Sequence, residues 1–192
     1  MASSEENEKR ALRAELRERR QNLTSVEWEQ ASIGFLQNLQ ALVTAFDARS
    51  ISCYLSSPTE PNTRPFVNWA IESGIRVLFP ISREDGLLDW TVGEQGIEKT
   101  GLWGMPEAVG ELLGPIAIND VDLIIVPACA VDEQGTRLGW GRGYFDKTLG
   151  SMEKRPPVYA VVFDNEVLPE VPREHHDQPV NGVVTPSRIL DF

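Results

Sequence analysis

The sequence is short of cysteine, of histidine and of positive charge. Its two cysteines, Cys53 and Cys129, lie far apart in apolar stretches, with no Cys-x-x-Cys and no His/Cys spacing suited to zinc. That excludes a disulfide framework and a structural zinc site, and fits buried thiols in a reducing compartment, the cytoplasm. No apolar run approaches the roughly 20 residues that span a bilayer. The opening stretch MASSEENEKRALRAELRERR is polar and helix-prone without an apolar core, so neither a signal peptide nor a membrane partner is expected. Eighteen Lys and Arg stand against 29 Asp and Glu, a net charge of −11. A nucleic-acid binder needs a basic field, so that class is set aside. A local cluster of arginines and backbone N–H groups can still hold phosphate inside an acidic protein.

What is present reads as α/β. Residues 1–8 are expected to be a disordered tail and 9–192 a single domain, without internal repeats. Helix is expected from Lys9 to about Gln21, with Leu12, Leu16 and Leu23 on one face and Lys9, Arg13 and Arg17 on the next. Thr24-Ser25-Val26-Glu27 resembles a capping box that opens a second helix over 25–45, with Ile33, Leu36 and Val43 facing inward. Arg49 to Leu55 reads as a buried strand, followed by the loop SSPTEPNT and a third helix with Pro65 in its first turn. Further strands are expected at Ile75–Pro80, Leu87–Val92, Asp122–Pro127, Pro157–Phe163 and Val180–Val184. Residues 93–120 look the least regular. Apolar strands alternating with helices argue for a largely parallel sheet.

The most informative stretch is DLIIVPACAVDEQGTRLGWGRGYFDKTL, Asp122 to Leu149. A strand runs into an acidic turn, then glycines alternate at Gly139, Gly141 and Gly143 beside Arg137 and Arg142. Such glycines let backbone N–H groups approach a ligand, and arginine forks suit phosphate or carboxylate. The run is neither a Walker A motif nor G-x-G-x-x-G. Asp146 supplies a hard oxygen of the kind Mg²⁺ takes, with Asp177 a second candidate. Tyr144 and Phe145 offer flat faces for a ring. Glu60, in the loop after the first strand, can accept from an amino-substituted heterocycle, and Trp103 suits a lid or pocket wall. His175 and His176 read as surface or structural residues.

Several motifs in order resemble the 5-formyltetrahydrofolate cyclo-ligase family, also called 5,10-methenyltetrahydrofolate synthetase. They are KRALR, YLSSPTEPNT, WGMP, the Asp122–Leu149 stretch and HDQPVNGVVTP. The resemblance implies a three-layer α/β/α sandwich related to the sugar-phosphate isomerase and CoA-transferase group. It implies conversion of 5-formyltetrahydrofolate and ATP to 5,10-methenyltetrahydrofolate, ADP and phosphate with Mg²⁺, by a monomer acting on small molecules. Carried over residue by residue, ATP would meet Lys9, Arg13 and the run Arg137, Leu138, Gly139, Trp140, Gly141, Arg142, Gly143, Tyr144 and Phe145. The folate would meet Leu55, Glu60, Trp103, Trp140, Gly141, Arg142, Gly143 and Tyr144, with Glu60 against the pterin. Arg142 and Tyr144 would be catalytic, and Asp146 and Asp177 would hold Mg²⁺. Phe145 stands where the family usually has a second tyrosine, and Trp140 where tyrosine or arginine is common. The alternative is a non-catalytic folate- or nucleotide-binding paralogue of the same fold.

Overall fold

The computed structural model describes residues 1–94 and 97–192. Its first half runs α1 (Ser4–Gln21), α2 (Ser25–Ala45), β1 (Ser50–Ser52), α3 (Arg64–Glu72), β2 (Arg76–Ser82), β3 (Leu88–Val92) and β4 (Glu98–Thr100). Then come β5 (Pro106–Ala108), β6 (Leu112–Leu113), β7 (Leu123–Pro127), β8 (Ala130–Asp132), β9 (Arg137–Leu138) and α4 (Tyr144–Gly150). The chain ends with β10 (Val158–Val161), β11 (Val167–Leu168), β12 (Gly182–Val184) and β13 (Ile189–Asp191). The main sheet has the order β13-β12-β10-β7-β1-β2-β3-β6. Its five middle strands, β12 to β2, pair in parallel, while β13, β3 and β6 join antiparallel at the edges.

Side-chain alternation divides the core into two layers. Ile51, Val77, Phe79, Leu123, Ile125, Tyr159 and Val161 face the side covered by α2 and α3, where Phe35, Leu39, Phe66 and Val67 meet them. Leu78, Trp90, Ile124, Val126, Val158 and Ala160 face the other side, which Ile118 and Leu149 of α4 help to cover. A strand buried on both faces needs apolar residues at every position, which is why these strands read as continuous apolar runs. The fold is therefore α/β, a mostly parallel sheet flanked by helices.

Two expectations are corrected. Residues 4–8 are helical rather than a loose tail. Ser3 caps α1 by accepting from the Glu6 N–H at 3.1 Å, and Glu5 and Glu6 in the first turn complement the helix dipole. Ile33 is 59% exposed. It sits two residues, about 200°, round the helix from Phe35, which heads the buried stripe Phe35, Leu39, Leu42 and Val43. The capping box at Thr24 and Glu27 forms as expected. Thr63 starts α3 with Pro65 in its first turn. Of residues 93–120, where 95 and 96 lie outside the described residues, the described ones hold short strands and 3₁₀ turns: β4 and β5 form a two-stranded ribbon, and β6 extends the sheet. The loops before α4 carry β8 and β9, which with β11 form a small three-stranded sheet.

Gly34 in the middle of α2 has a specific cause. A Cβ there would lie 2.2 Å from the Pro186 carbonyl oxygen, and Asn38 one turn on donates to the Thr185 carbonyl at 2.8 Å. In an open helix Gly→Ala gains up to about 1 kcal/mol. Here Gly34→Ala is expected to cost about 1–3 kcal/mol through overpacking, seen as a lower urea midpoint. A raised midpoint would show that α2 does not dock this closely.

Candidate active site

Three of the parallel strands, β1, β2 and β7, end on one cavity of about 700 Å³, within the range of small-molecule sites. Tyr54 and Leu55 just past β1, Pro80 and Ser82 of β2, and Pro127 of β7 line its base. That is the carboxyl edge of the sheet, where open α/β folds bind ligands. α1, the glycine loop 139–143, and the segment carrying Trp103 form the walls.

α1 lays cations along the cavity. Lys9, Leu16 and Arg20 are its buried residues, seven and then four positions apart and so on one face. The Lys9 ammonium lies 2.5 Å from Asp177 Oδ2 and 2.7 Å from Glu174 Oε2. Burial works against its charge, but the two carboxylates outweigh it and raise its pKa. Arg13 Nε donates to the Gly139 carbonyl at 2.7 Å, fastening the loop to the helix. Arg20 grips Glu166 through Nε and Nη2 at 2.7 and 2.9 Å, and Nη2 also donates to the Ala128 carbonyl at 2.8 Å. Arg17, expected beside Lys9 and Arg13, is exposed; its guanidinium lies over the Trp140 ring at 5.2 Å, with that of Arg20 at 5.1 Å.

The glycine loop is shaped by what its residues must avoid. A Cβ on Gly139 would come within 3.1 Å of both terminal nitrogens of Arg137, and Gly141 and Gly143 have φ of 102° and 74°, which favour glycine. Arg137 is buried, and among the described residues its only side-chain hydrogen bond runs from Nε to the Pro127 carbonyl at 2.7 Å. Burial lowers its pKa. It lies over the Phe145 ring at 5.5 Å, and its Nη1 stands 4.0 Å from Asp146 Oδ1. The acidic turn before the loop is structural: Asp132 accepts from the N–H groups of Gln134, Thr136 and Val171.

Trp103 is tied to this loop. It has a φ of 61° and is 57% exposed, Arg142 packs over its ring at 3.7 Å, and its Nε1 donates to the Tyr144 hydroxyl at 3.0 Å. That hydroxyl donates to the Arg83 carbonyl at 2.8 Å. Tyr144 thus joins the loop, the β2–β3 turn and the Trp103 segment through one oxygen.

Glu60 lies at the base of the cavity, 6% exposed, with Oε1 accepting from the Ser57 N–H at 2.9 Å. Burial raises its pKa. Asp146 and Asp177 both line the cavity, and Asp146 Oδ1 accepts from the Gln178 N–H, the residue after Asp177, at 3.0 Å. Glu174, His176 and Asp177 bring ligand atoms within 4.8 Å of one another. Two of these three offer hard carboxylate oxygens of the kind a divalent cation takes, while Asp146, expected beside Asp177, is not part of the group.

Of the residues expected to meet ATP, folate or Mg²⁺, all but one border this cavity. Leu138 points away into a small core with Leu16, Cys129 and Val171, because it alternates with Arg137 across β9. His175 is exposed, as expected of a surface residue, whereas His176, also exposed, lines the cavity with its Nε2 3.6 Å from Asp177 Oδ1. Arg20, Tyr54 and Glu174 also line the cavity and were missed. Arg20 carried a legible signal: a charged residue one turn past Leu16 on the apolar face of α1.

Comparisons with known proteins bear on this cavity. A profile of the 5-formyltetrahydrofolate cyclo-ligase family matches residues 5–186. The Mycolicibacterium smegmatis protein named 5-formyltetrahydrofolate cyclo-ligase is 36% identical over 145 residues, covering 73% of this chain and 75% of its own. The Escherichia coli K12 protein of the same name is 26% identical over 182 residues, 92% of this chain and 100% of that one. The solution structure of Aquifex aeolicus 5,10-methenyltetrahydrofolate synthetase, 27% identical, superposes with a TM-score of 0.80 over 95% of this chain and 92% of that chain. With a family match that runs from the first turns of α1 past β12, the chain belongs to the 5-formyltetrahydrofolate cyclo-ligase family.

Proposed function

We propose that this chain closes 5-formyltetrahydrofolate to 5,10-methenyltetrahydrofolate at the expense of ATP, releasing ADP and phosphate, through the cavity at the carboxyl edge of the sheet. One observation supports it above the others: the same cavity is walled by the arginine-bearing glycine loop and floored by the buried Glu60 carboxylate. The first suits a triphosphate, the second the amino-substituted edge of a pterin. A non-catalytic paralogue would be expected to have lost Asp146, Glu60 or a loop glycine, and all are present here; turnover decides between the two.

The formyl oxygen is a poor leaving group. Its attack on the γ-phosphorus expels ADP and leaves an imidoyl phosphate on N5. N10 then attacks the formyl carbon, the C–O bond breaks, phosphate departs with its electron pair, and N10 loses its proton. Phosphoryl transfer asks for positioning and charge neutralisation. Arg137, buried with no hydrogen bond from its terminal nitrogens among the described residues and only the 4.0 Å approach to Asp146, supplies fixed charge to the phosphates. Arg13 holds the loop and Arg142, stacked on Trp103, carries charge at the loop tip. The Tyr144 hydroxyl is already shared between Trp103 and Arg83, so its part is to position the loop and the Trp103 segment rather than to move a proton. Leu55 and Trp103 give the folate apolar walls.

Asp146 and Asp177, with Glu174 beside them, would hold Mg²⁺, which when bound neutralises phosphate oxygens. Lys9 shares Asp177 and Glu174, so its ammonium and the metal draw on the same carboxylates. Two free buried thiols, both held protonated by burial, fit a reducing cytoplasm, and we take the working unit to be the monomer.

The chain is expected to convert 5-formyltetrahydrofolate in the presence of MgATP, followed as growth of a near-ultraviolet absorbance band. Binding of both ligands without turnover would select the paralogue. Asp146→Asn, whose oxygen can still accept from Gln178, should abolish metal-dependent turnover with the melting temperature unchanged. Full activity would remove Asp146 from the site.

Glu60 gives a prediction with a sign. Its folded pKa lies above the ordinary value of 4.5, so the folded state keeps a proton that the unfolded chain has lost. Its contribution to stability therefore falls as pH rises through that window. At pH 7 Glu60→Gln is expected to melt no lower than the unaltered protein, while folate affinity drops about 10- to 100-fold with the loss of a charged hydrogen-bond acceptor. A lower melting point with unchanged folate affinity would make Glu60 a structural residue.

A further inference from the structure

Three residues that line the cavity each have a buried polar atom with no hydrogen-bond partner among the described residues: Trp140 through Nε1, Tyr54 through Oη and Arg20 through Nη1. Tyr54 and Arg20 are both 5% exposed. Native proteins leave few such groups, since an orphaned buried donor pays its full desolvation cost. Arg20 is pinned by Glu166 and the Ala128 carbonyl, and its guanidinium lies between the Trp140 and Phe163 rings at 5.1 and 5.4 Å. These contacts use Nε and Nη2 and leave Nη1 with both of its protons. Tyr54 stands two residues past the end of β1, and the Cys53 N–H between them still donates to the Leu78 carbonyl of β2, so the sheet holds its place.

Both groups are donors. Burial raises the Tyr54 pKa well above that of a free phenol, so its hydroxyl keeps its proton. Arg20 is charged, and its field reaches Tyr54 and Glu60 alike. Glu60, an acceptor, lines the same cavity. Donors next to an acceptor match a ligand edge that carries N–H groups next to a carbonyl oxygen. The pterin ring has that edge: a 2-amino group and N3–H, then the 4-oxo oxygen.

We infer that Tyr54 Oη and Arg20 Nη1 form a donor pair for the 4-oxo oxygen of the pterin, beside Glu60, which takes the 2-amino and N3–H protons. This rests on the folate reading of the cavity and adds a contact at position 4 of the ring, which Glu60 does not reach. A 4-amino ring carries no N3–H, so Glu60 keeps only its 2-amino contact there, and the donor pair adds a second discrimination. The donor pair rejects the 4-amino group, which brings donors against donors.

The test measures binding of 5-formyltetrahydrofolate and of its 4-amino-4-deoxy analogue to the full chain and to Tyr54→Phe. The unaltered protein should prefer the 4-oxo ligand by about 10- to 100-fold, as sites built to hydrogen-bond a group reject its replacement. In Tyr54→Phe the 4-oxo ligand should weaken about 10-fold and the analogue hardly at all, so the preference shrinks. ATP affinity should hold and the melting temperature should stay or rise, because the deleted oxygen had no partner. An equal preference in both proteins overturns the inference and returns Tyr54 to a structural role. If neither ligand binds the unaltered protein while ATP does, the folate reading fails and this inference with it.

Discussion

Burying cations on one helix is costly unless each meets an oxygen, and α1 buries two and half-buries a third. Lys9 meets Asp177 and Glu174, Arg13 meets the Gly139 carbonyl, and Arg20 meets Glu166 and the Ala128 carbonyl. These partners come from four separate parts of the chain: the segment before β12, the glycine loop, the link after β7, and the turn after β10. Removing one partner from such a pair strands the other charge, at about 3–5 kcal/mol. The placement of α1 across the carboxyl edge of the sheet is therefore fixed by electrostatics as much as by Leu16, and the cavity exists because α1 lies there.

The same constraint arranges the chemistry. α1 and the glycine loop bring positive charge to one side of the cavity, and the loop after β1 brings Glu60 to its base. An acidic protein thus keeps a cationic wall where phosphate is expected. Trp103, Arg142 and Tyr144 connect the loop to the segment that would cover the folate, so a change on one side is felt on the other. Phe145 keeps a stacking face beneath Arg137, and Trp140 spends its ring on Arg17 and Arg20 rather than offering a charge of its own.

Much of the fold was legible because its strands are buried on both faces. Ile124 and Ile125 point to opposite layers and are both apolar, which gives the continuous run that marks a parallel sheet. The glycine loop was legible because arginine, glycine and aspartate there serve chemistry rather than packing. Other parts were not. Ser4–Glu8 is polar and looks like a tail until its Ser3 cap and acidic first turn are weighed together. Ile33 is apolar yet exposed, because helical phase rather than residue type decides its direction. The small sheet of β8, β9 and β11 consists of two- and three-residue strands, too short to show a period. Tyr54 reads as one more core residue, since only the structure shows that its hydroxyl has no partner.

The central claim is that the formyl oxygen and the γ-phosphate meet in one cavity and that the oxygen leaves as part of phosphate. Substrate carrying ¹⁸O in the formyl group, turned over once with unlabelled ATP, tests it directly by mass spectrometry of the released phosphate. The account predicts that the label is recovered in inorganic phosphate. Phosphate that instead carries an oxygen from solvent, with none from the formyl group, would contradict it.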